Sequence, residues 1–181
     1  MKKFLLVIAA TLVVLTSQAQ FNKAMLQATG LTCAMCSNAI NKALQKVPFI
    51  QSVQSDIKNS SFAIVFKTNA NVDIDAIKNA VEDAGFSVGS LKLTGDFHDL
   101  KIVKDKHVKI GQENFHFLNA ADRVLEGEQT ITVVDKAFVT EKQFKKISAA
   151  SSMECVRTGK TSSCCEKDGL HTGERIYHVT I

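Results

Sequence analysis

The 181-residue chain contains no tryptophan, one tyrosine and one proline. Its 22 basic residues are scattered among 18 acidic ones. Nucleic-acid binding needs a concentrated basic face, so that function class is set aside. No paired carboxylates, nucleophile–base arrangement or phosphate-binding glycine loop is visible, and the sequence makes no case for an enzyme. Beyond residue 19 no apolar run reaches the roughly 20 residues that a membrane helix requires. No internal repeat occurs.

The longest apolar run stands at the start. Lys2 and Lys3 precede a stretch from Phe4 to Leu15 that only Thr11 interrupts, and Ser17-Gln18-Ala19 offers small residues for a signal peptidase. The run is short for a membrane span, although an uncleaved anchor is the alternative. We expect cleavage after Ala19 and export to the periplasm or beyond. Cleavage would remove two lysines and no acidic residue, taking the formal charge from +4 to +2.

Residues 22–93 alternate between strand and helix signals. A short strand over 23–29 leads into a loop. Ile40, Ala43, Leu44 and Val47 then follow the spacing of one helix face. Pro48 ends that helix by pushing its predecessor out of the α region. Two strands follow, at 53–57 and 61–67, joined by Lys58-Asn59-Ser60. A second helix runs from an Asp73 cap through Ile74, Ile77, Val81 and Ala84 to Gly85. A strand over 86–93 completes a βαββαβ unit, the ferredoxin-like arrangement of two helices on a four-stranded antiparallel sheet.

Leu93-Thr94-Gly95-Asp96 reads as a boundary. Two units are therefore expected in the exported chain, at 20–94 and 95–181, giving an α+β protein. In the second, Val108 and Ile110 face Phe115 and Phe117 across a turn, and residues 130–134 form a β-branched strand. Thr140 and Gln143 make a capping box for one short helix. Residues 153–168 read as a mobile loop, and 175–181 as a closing strand. The expectation is a small β-rich unit, barrel-like in outline.

Five cysteines, Cys33, Cys36, Cys155, Cys164 and Cys165, are an odd and unevenly spaced set that fits a disulfide framework poorly. Cys33 and Cys36 flank the start of the first helix. Unpaired N–H groups and the helix dipole favour negative charge there. Two sulfurs on a short loop suit a soft ion of low coordination. Cu(I) is favoured, Hg(II) is equally soft, and Zn(II) would need two more donors.

Gly30-Leu31-Thr32-Cys33-Ala34-Met35-Cys36 resembles the GMTCxxC signature of the heavy-metal-associated (HMA) domain family. Val81-Glu82-Asp83-Ala84-Gly85-Phe86 resembles that family's second-helix ending. The family includes bacterial copper chaperones, N-terminal modules of copper-transporting P-type ATPases and the periplasmic mercury-binding protein MerP. The resemblance covers 22–93 and implies that Cys33 and Cys36 are the metal ligands. It implies Leu31 as an apolar support and Phe86 as an aromatic near the loop. No acidic residue lies between Gly30 and Ile40, unlike in zinc-handling relatives, which tilts the reading towards copper. The implied function is buffering Cu(I) or passing it to a partner such as a copper transporter. A periplasmic thiol–disulfide oxidoreductase and a mercury scavenger are the alternatives. The redox alternative lacks the facing proline and aromatic surroundings of thioredoxin-like pairs, since Pro48 is the sole proline.

Cys155, Cys164, Cys165, His171 and His178 form a second group, read either as a metal site or as a disulfide from Cys155 to Cys164 or Cys165. His98, His107 and His116 read as isolated strand or turn residues on the surface, and Phe115 and Phe117 as core.

Overall fold

The computed structural model describes residues 20–31, 33–149 and 151–181, with Cys164 described by its backbone only. The expected export signal at 1–19 lies outside the described residues. Strand β1 (Gln20–Thr29) turns Phe21, Ala24, Leu26 and Ala28 inward. Helix α1 (Ala34–Gln45) buries Ser37, Ile40 and Leu44 and stops short of Pro48. Strands β2 (Ile50–Asp56) and β3 (Ser61–Phe66) form the expected hairpin. In its turn Asp56 accepts hydrogen bonds from the backbone and side chain of Asn59.

Helix α2 (Ile74–Asp83) starts where Asp73 accepts the Ala76 N–H at 2.9 Å. It buries Ile74, Ile77 and Val81 completely. Each such side chain contributes about 1.5–3 kcal/mol, which fixes the helix on the sheet. The strand order β2-β3-β1-β4 and the all-antiparallel pairing make residues 20–93 ferredoxin-like, as expected.

Strand β4 (Ser87–Ile102) continues through the stretch read as a boundary. On one side it pairs with β1, from Thr29↔Ser87 to Gln20↔Asp96. On the other it pairs with β7 (Arg123–Val133), from Leu91↔Val133 to Ile102↔Arg123. Three more strands extend the sheet: β5 (His107–Ile110), β6 (Glu113–Phe117) and β8 (Ile176–Thr180). Among the described residues the order is β2-β3-β1-β4-β7-β8-β6-β5, an open eight-stranded sheet with β2 and β5 as edges. It does not close into the barrel-like unit expected from the sequence. β7 joins the already paired β4 instead of curling back on its own half.

One face of this sheet carries the main core, in which Phe21, Leu93, Phe97, Phe115 and Tyr177 are contiguous. A smaller core lies against the C-terminal strands and contains Leu118, Val134, Val156 and Ile176. Among the described residues, three short helical segments belong to the C-terminal half rather than one. They are α3 (Glu141–Ser148), with the expected Thr140–Gln143 capping box, α4 (Glu154–Thr158), and a 3-10 helix at Ser163–Asp168. Residues 153–168, read as a mobile loop, are thus largely helical.

The N-terminus of α2 is tied to β8. Arg175 donates to Asp75 from Nε at 2.8 Å and to Asp135 at 3.0 Å. Its guanidinium lies 4.0 Å from the centre of the Tyr177 ring, and Tyr177 Oη accepts the Asp75 N–H. Tyr177 is the sole tyrosine and tryptophan is absent, so its emission reports this junction. We predict that Phe97→Ala destabilises the fold by about 3–5 kcal/mol, since Phe97 is fully buried. In urea titrations, far-UV circular dichroism and Tyr177 emission should shift to the same new midpoint. Two separated transitions would contradict a single cooperative sheet.

Candidate metal-binding loop

The chain leaves β1 through Gly30, whose φ of +84° suits glycine. A Cβ at Gly30 would lie 3.9 Å from Phe86 Cδ1, so the aromatic ring stands beside the turn. Phe86 arrives there because Gly85, at φ +88°, closes α2. The Gly85 N–H reaches Glu82 O at 2.8 Å and the Phe86 N–H reaches Val81 O at 3.1 Å. Leu31 packs against the main core as an apolar support.

Cys33 is the N-cap residue of α1, with extended backbone and an exposed side chain. Cys36 lies in the first helical turn and is half-buried. Their Sγ atoms are 3.2 Å apart, well beyond the about 2.05 Å of a disulfide bond. No acidic residue occupies the first turn of α1. Met35, between the two cysteines, is 82% exposed, so the loop meets solvent directly. Paired sulfurs at a helix N-terminus can take up a soft cation or close into a disulfide.

The second group is split, with His171 standing apart at the surface. Cys155 and Cys165 are fully buried and belong to the smaller core. His178 is also buried, whereas His171 is exposed. The side chain of Cys164 lies outside the described residues. His98 is half exposed between Asp96 and Glu126, as expected of a surface residue.

His107 and His116 contradict the surface reading. The His107 side chain is 2% exposed and His116 is fully buried. Burial, with His178 and His107 alongside, pushes the His116 imidazole down to about 3, leaving it neutral in the folded chain. Alternation correctly assigned Phe115 and Phe117 to the core. It also placed His116 on the opposite face, which in a half-exposed sheet would be wet. Here α4 and the 3-10 helix cover that face. The available signal was two histidines, His116 and His178, each set between apolar core residues on a strand.

Residues 26–87 match the heavy-metal-associated domain. Over 59 residues the chain is 30% identical to the copper chaperone CopZ of Staphylococcus haemolyticus (strain JCSC1435), covering 33% of this chain and 85% of that one. Over 71 residues it is 32% identical to the probable copper-transporting ATPase HMA5 of Arabidopsis thaliana. That match covers 39% of this chain but spans only 7% of the ATPase. The crystal structure of oxidized MerP from Ralstonia metallidurans CH34 is similar at 26% identity with a TM-score of 0.34, covering 39% of this chain and 96% of that one.

The exposures predict an order of thiol reactivity. In the native, reduced chain, maleimide followed by peptide mapping should label Cys33 fastest. Cys155 and Cys165 should label only as the 153–168 segment opens or the chain unfolds. Labelling of Cys155 as fast as Cys33 would contradict the buried placement.

Proposed function

We propose, for a chain that belongs through residues 26–87 to the heavy-metal-associated domain family, that Cys33 and Cys36 carry one Cu(I) ion and pass it on. The observation that carries this reading is the pair of sulfurs 3.2 Å apart on an exposed helix N-terminus with no carboxylate in its first turn. Relatives described as a copper chaperone and a copper-transporting ATPase support the choice of ion and the kind of partner.

The chemistry follows from the geometry. With metal–thiolate bonds of about 2.3 Å, a linear sulfur–metal–sulfur unit spans about 4.6 Å. The pair must therefore open by about 1.4 Å from its observed 3.2 Å separation. Cys36 is anchored in the helix, so Cys33, on extended backbone, makes that movement. Binding releases the thiol protons and leaves a bis-thiolate complex with one net negative charge. The N–H groups of the first turn favour that charge. A partner thiolate can then enter as a third ligand before one of the pair leaves, so that transfer does not pass through a bare ion.

The position of the loop suits exchange. β4 begins beside it and runs away from it, and β7 joins only from Leu91 onward. The ion-paired junction lies at the other end of the ten-residue α2, about 15 Å away along the helix axis. The C-terminal half thus leaves the cysteine end open to a partner. We further propose that the chain works outside the cytoplasm, on the strength of the N-terminal apolar segment. There the pair needs a reductant before it can load.

Anaerobic titration of the reduced chain tests this reading. One tightly held equivalent of Cu(I) is expected, and the Cys33→Ser/Cys36→Ser variant should lose it. Zn(II) should compete poorly for the same site. Unchanged copper stoichiometry and affinity in the double variant would overturn the assignment, and stronger retention of Hg(II) than Cu(I) would favour mercury as the cargo.

A further inference from the structure

Three histidines from three strands fall in one row of the sheet. His107 on β5 is directly opposite His116 on β6, and His116 is directly opposite His178 on β8. Directly paired residues project from the same face, and the rings touch in sequence. The centroids of His107 and His116 are 4.9 Å apart, and those of His116 and His178 are 5.3 Å apart. Cys155 of α4 comes down on this row. Its Sγ and one ring nitrogen each from His107 and His116 lie within 4.8 Å of one another.

Two carboxylates stand behind the row. Asp168 accepts from His107 Nδ1 at 2.6 Å, and Asp135 accepts from His178 Nδ1 at 2.7 Å. A carboxylate only accepts, so each Nδ1 carries the proton and each Nε2 of a neutral ring is left with its lone pair. Among the described residues, His107 Nε2, His178 Nε2 and both ring nitrogens of His116 have no hydrogen-bond partner. Buried polar atoms left unpaired in this way are costly and rare. Four in one cluster point to a missing ligand.

The chemistry of that ligand is constrained. A water molecule has two hydrogens to donate and meets at most two of the imidazole lone pairs. One cation can take one nitrogen from each of His107 and His116 and the sulfur as well, while the second nitrogen of His116 keeps its proton. Carboxylates behind the imidazoles are the arrangement that orients histidine ligands towards a metal. Imidazole nitrogens with one thiolate suit a late first-row ion, whereas calcium or magnesium would require oxygen donors.

We infer that His107, His116 and Cys155 form a second, buried metal site for a divalent ion of the zinc class, with His178 beside it. Three donors stand within range, and a turn of the neighbouring His178 ring towards them would complete the four-donor set of a structural site. The ion would pin α4 to strands β5, β6 and β8, where the smaller core is modest. It differs from the cysteine loop in two respects that govern exchange: it is buried and rich in nitrogen. It does not depend on the copper reading.

The test uses the full chain carrying Cys33→Ser/Cys36→Ser, reduced and stripped of metal, titrated with Co(II). One equivalent should bind with tetrahedral ligand-field absorption and a sulfur-to-cobalt charge-transfer band, and Zn(II) should displace it. Adding Cys155→Ser should remove the charge-transfer band. Adding Asp168→Asn should weaken Co(II) binding about 10–100-fold, and His116→Phe should abolish it while filling the same space. Absence of saturable binding, persistence of the charge-transfer band in Cys155→Ser, or unaltered affinity in Asp168→Asn would overturn the proposal. Far-UV circular dichroism of each metal-free variant identifies any that fails to fold. Should His116→Phe do so, the Cys155 and Asp168 variants decide the outcome.

Discussion

Backbone pairing along both edges of β4 holds the molecule together. One edge completes the ferredoxin-like sheet against β1, and the other receives β7 and, through it, the remaining strands. A strand that is paired on both sides cannot be cut near residue 94 without leaving a row of unmatched N–H and C=O groups. It would also open the core around Leu93 and Phe97, both fully buried. The same strand sets the working geometry. Its first residue lies next to Thr29 at the cysteine end, so the added strands grow away from the Cys33–Cys36 pair.

The local features of the fold were legible because their causes are local. Asp73 caps a helix through its own side chain, Gly85 ends it with a positive φ, and Lys58-Asn59-Ser60 turns a hairpin. The cysteine pair was legible for the same reason, since strand, glycine turn and helix start lie within a few residues of it. What could not be read was register. Residues 107, 116 and 178 are far apart in sequence, and only the pairing of β5, β6 and β8 brings them into a row. Alternation put His116 on the face away from Phe115 and Phe117. Whether that face was wet depended on residues 153–168, whose glycine and serine content disguised two short helical segments. The stretch 93–96, read as a boundary, contains a glycine, Gly95, that the sheet needs for close approach of β1. A Cβ there would come within 2.8 Å of Gln20 O.

The two clusters follow opposite design rules. The Cys33–Cys36 loop is exposed, has only two donors and can open, which are the properties of a site that hands on its ion. The histidine row is buried beneath α4 and backed by Asp135 and Asp168, which are the properties of a site that keeps one. Asp135 also links them physically. It accepts from His178 on one oxygen and from Arg175 on the other, and Arg175 reaches Asp75 at the start of α2. Metal in the row would stiffen the same side chains that hold the ferredoxin-like half to the rest of the sheet.

Copper-edge X-ray absorption of the reduced, full-length chain carrying one equivalent of Cu(I) tests the assignment of the cargo most directly, because imidazole and thiolate ligands scatter differently. A first shell of two sulfurs with no imidazole contribution is the predicted result. Imidazole scattering from the bound copper would contradict it and place the ion on the histidine row instead of between Cys33 and Cys36.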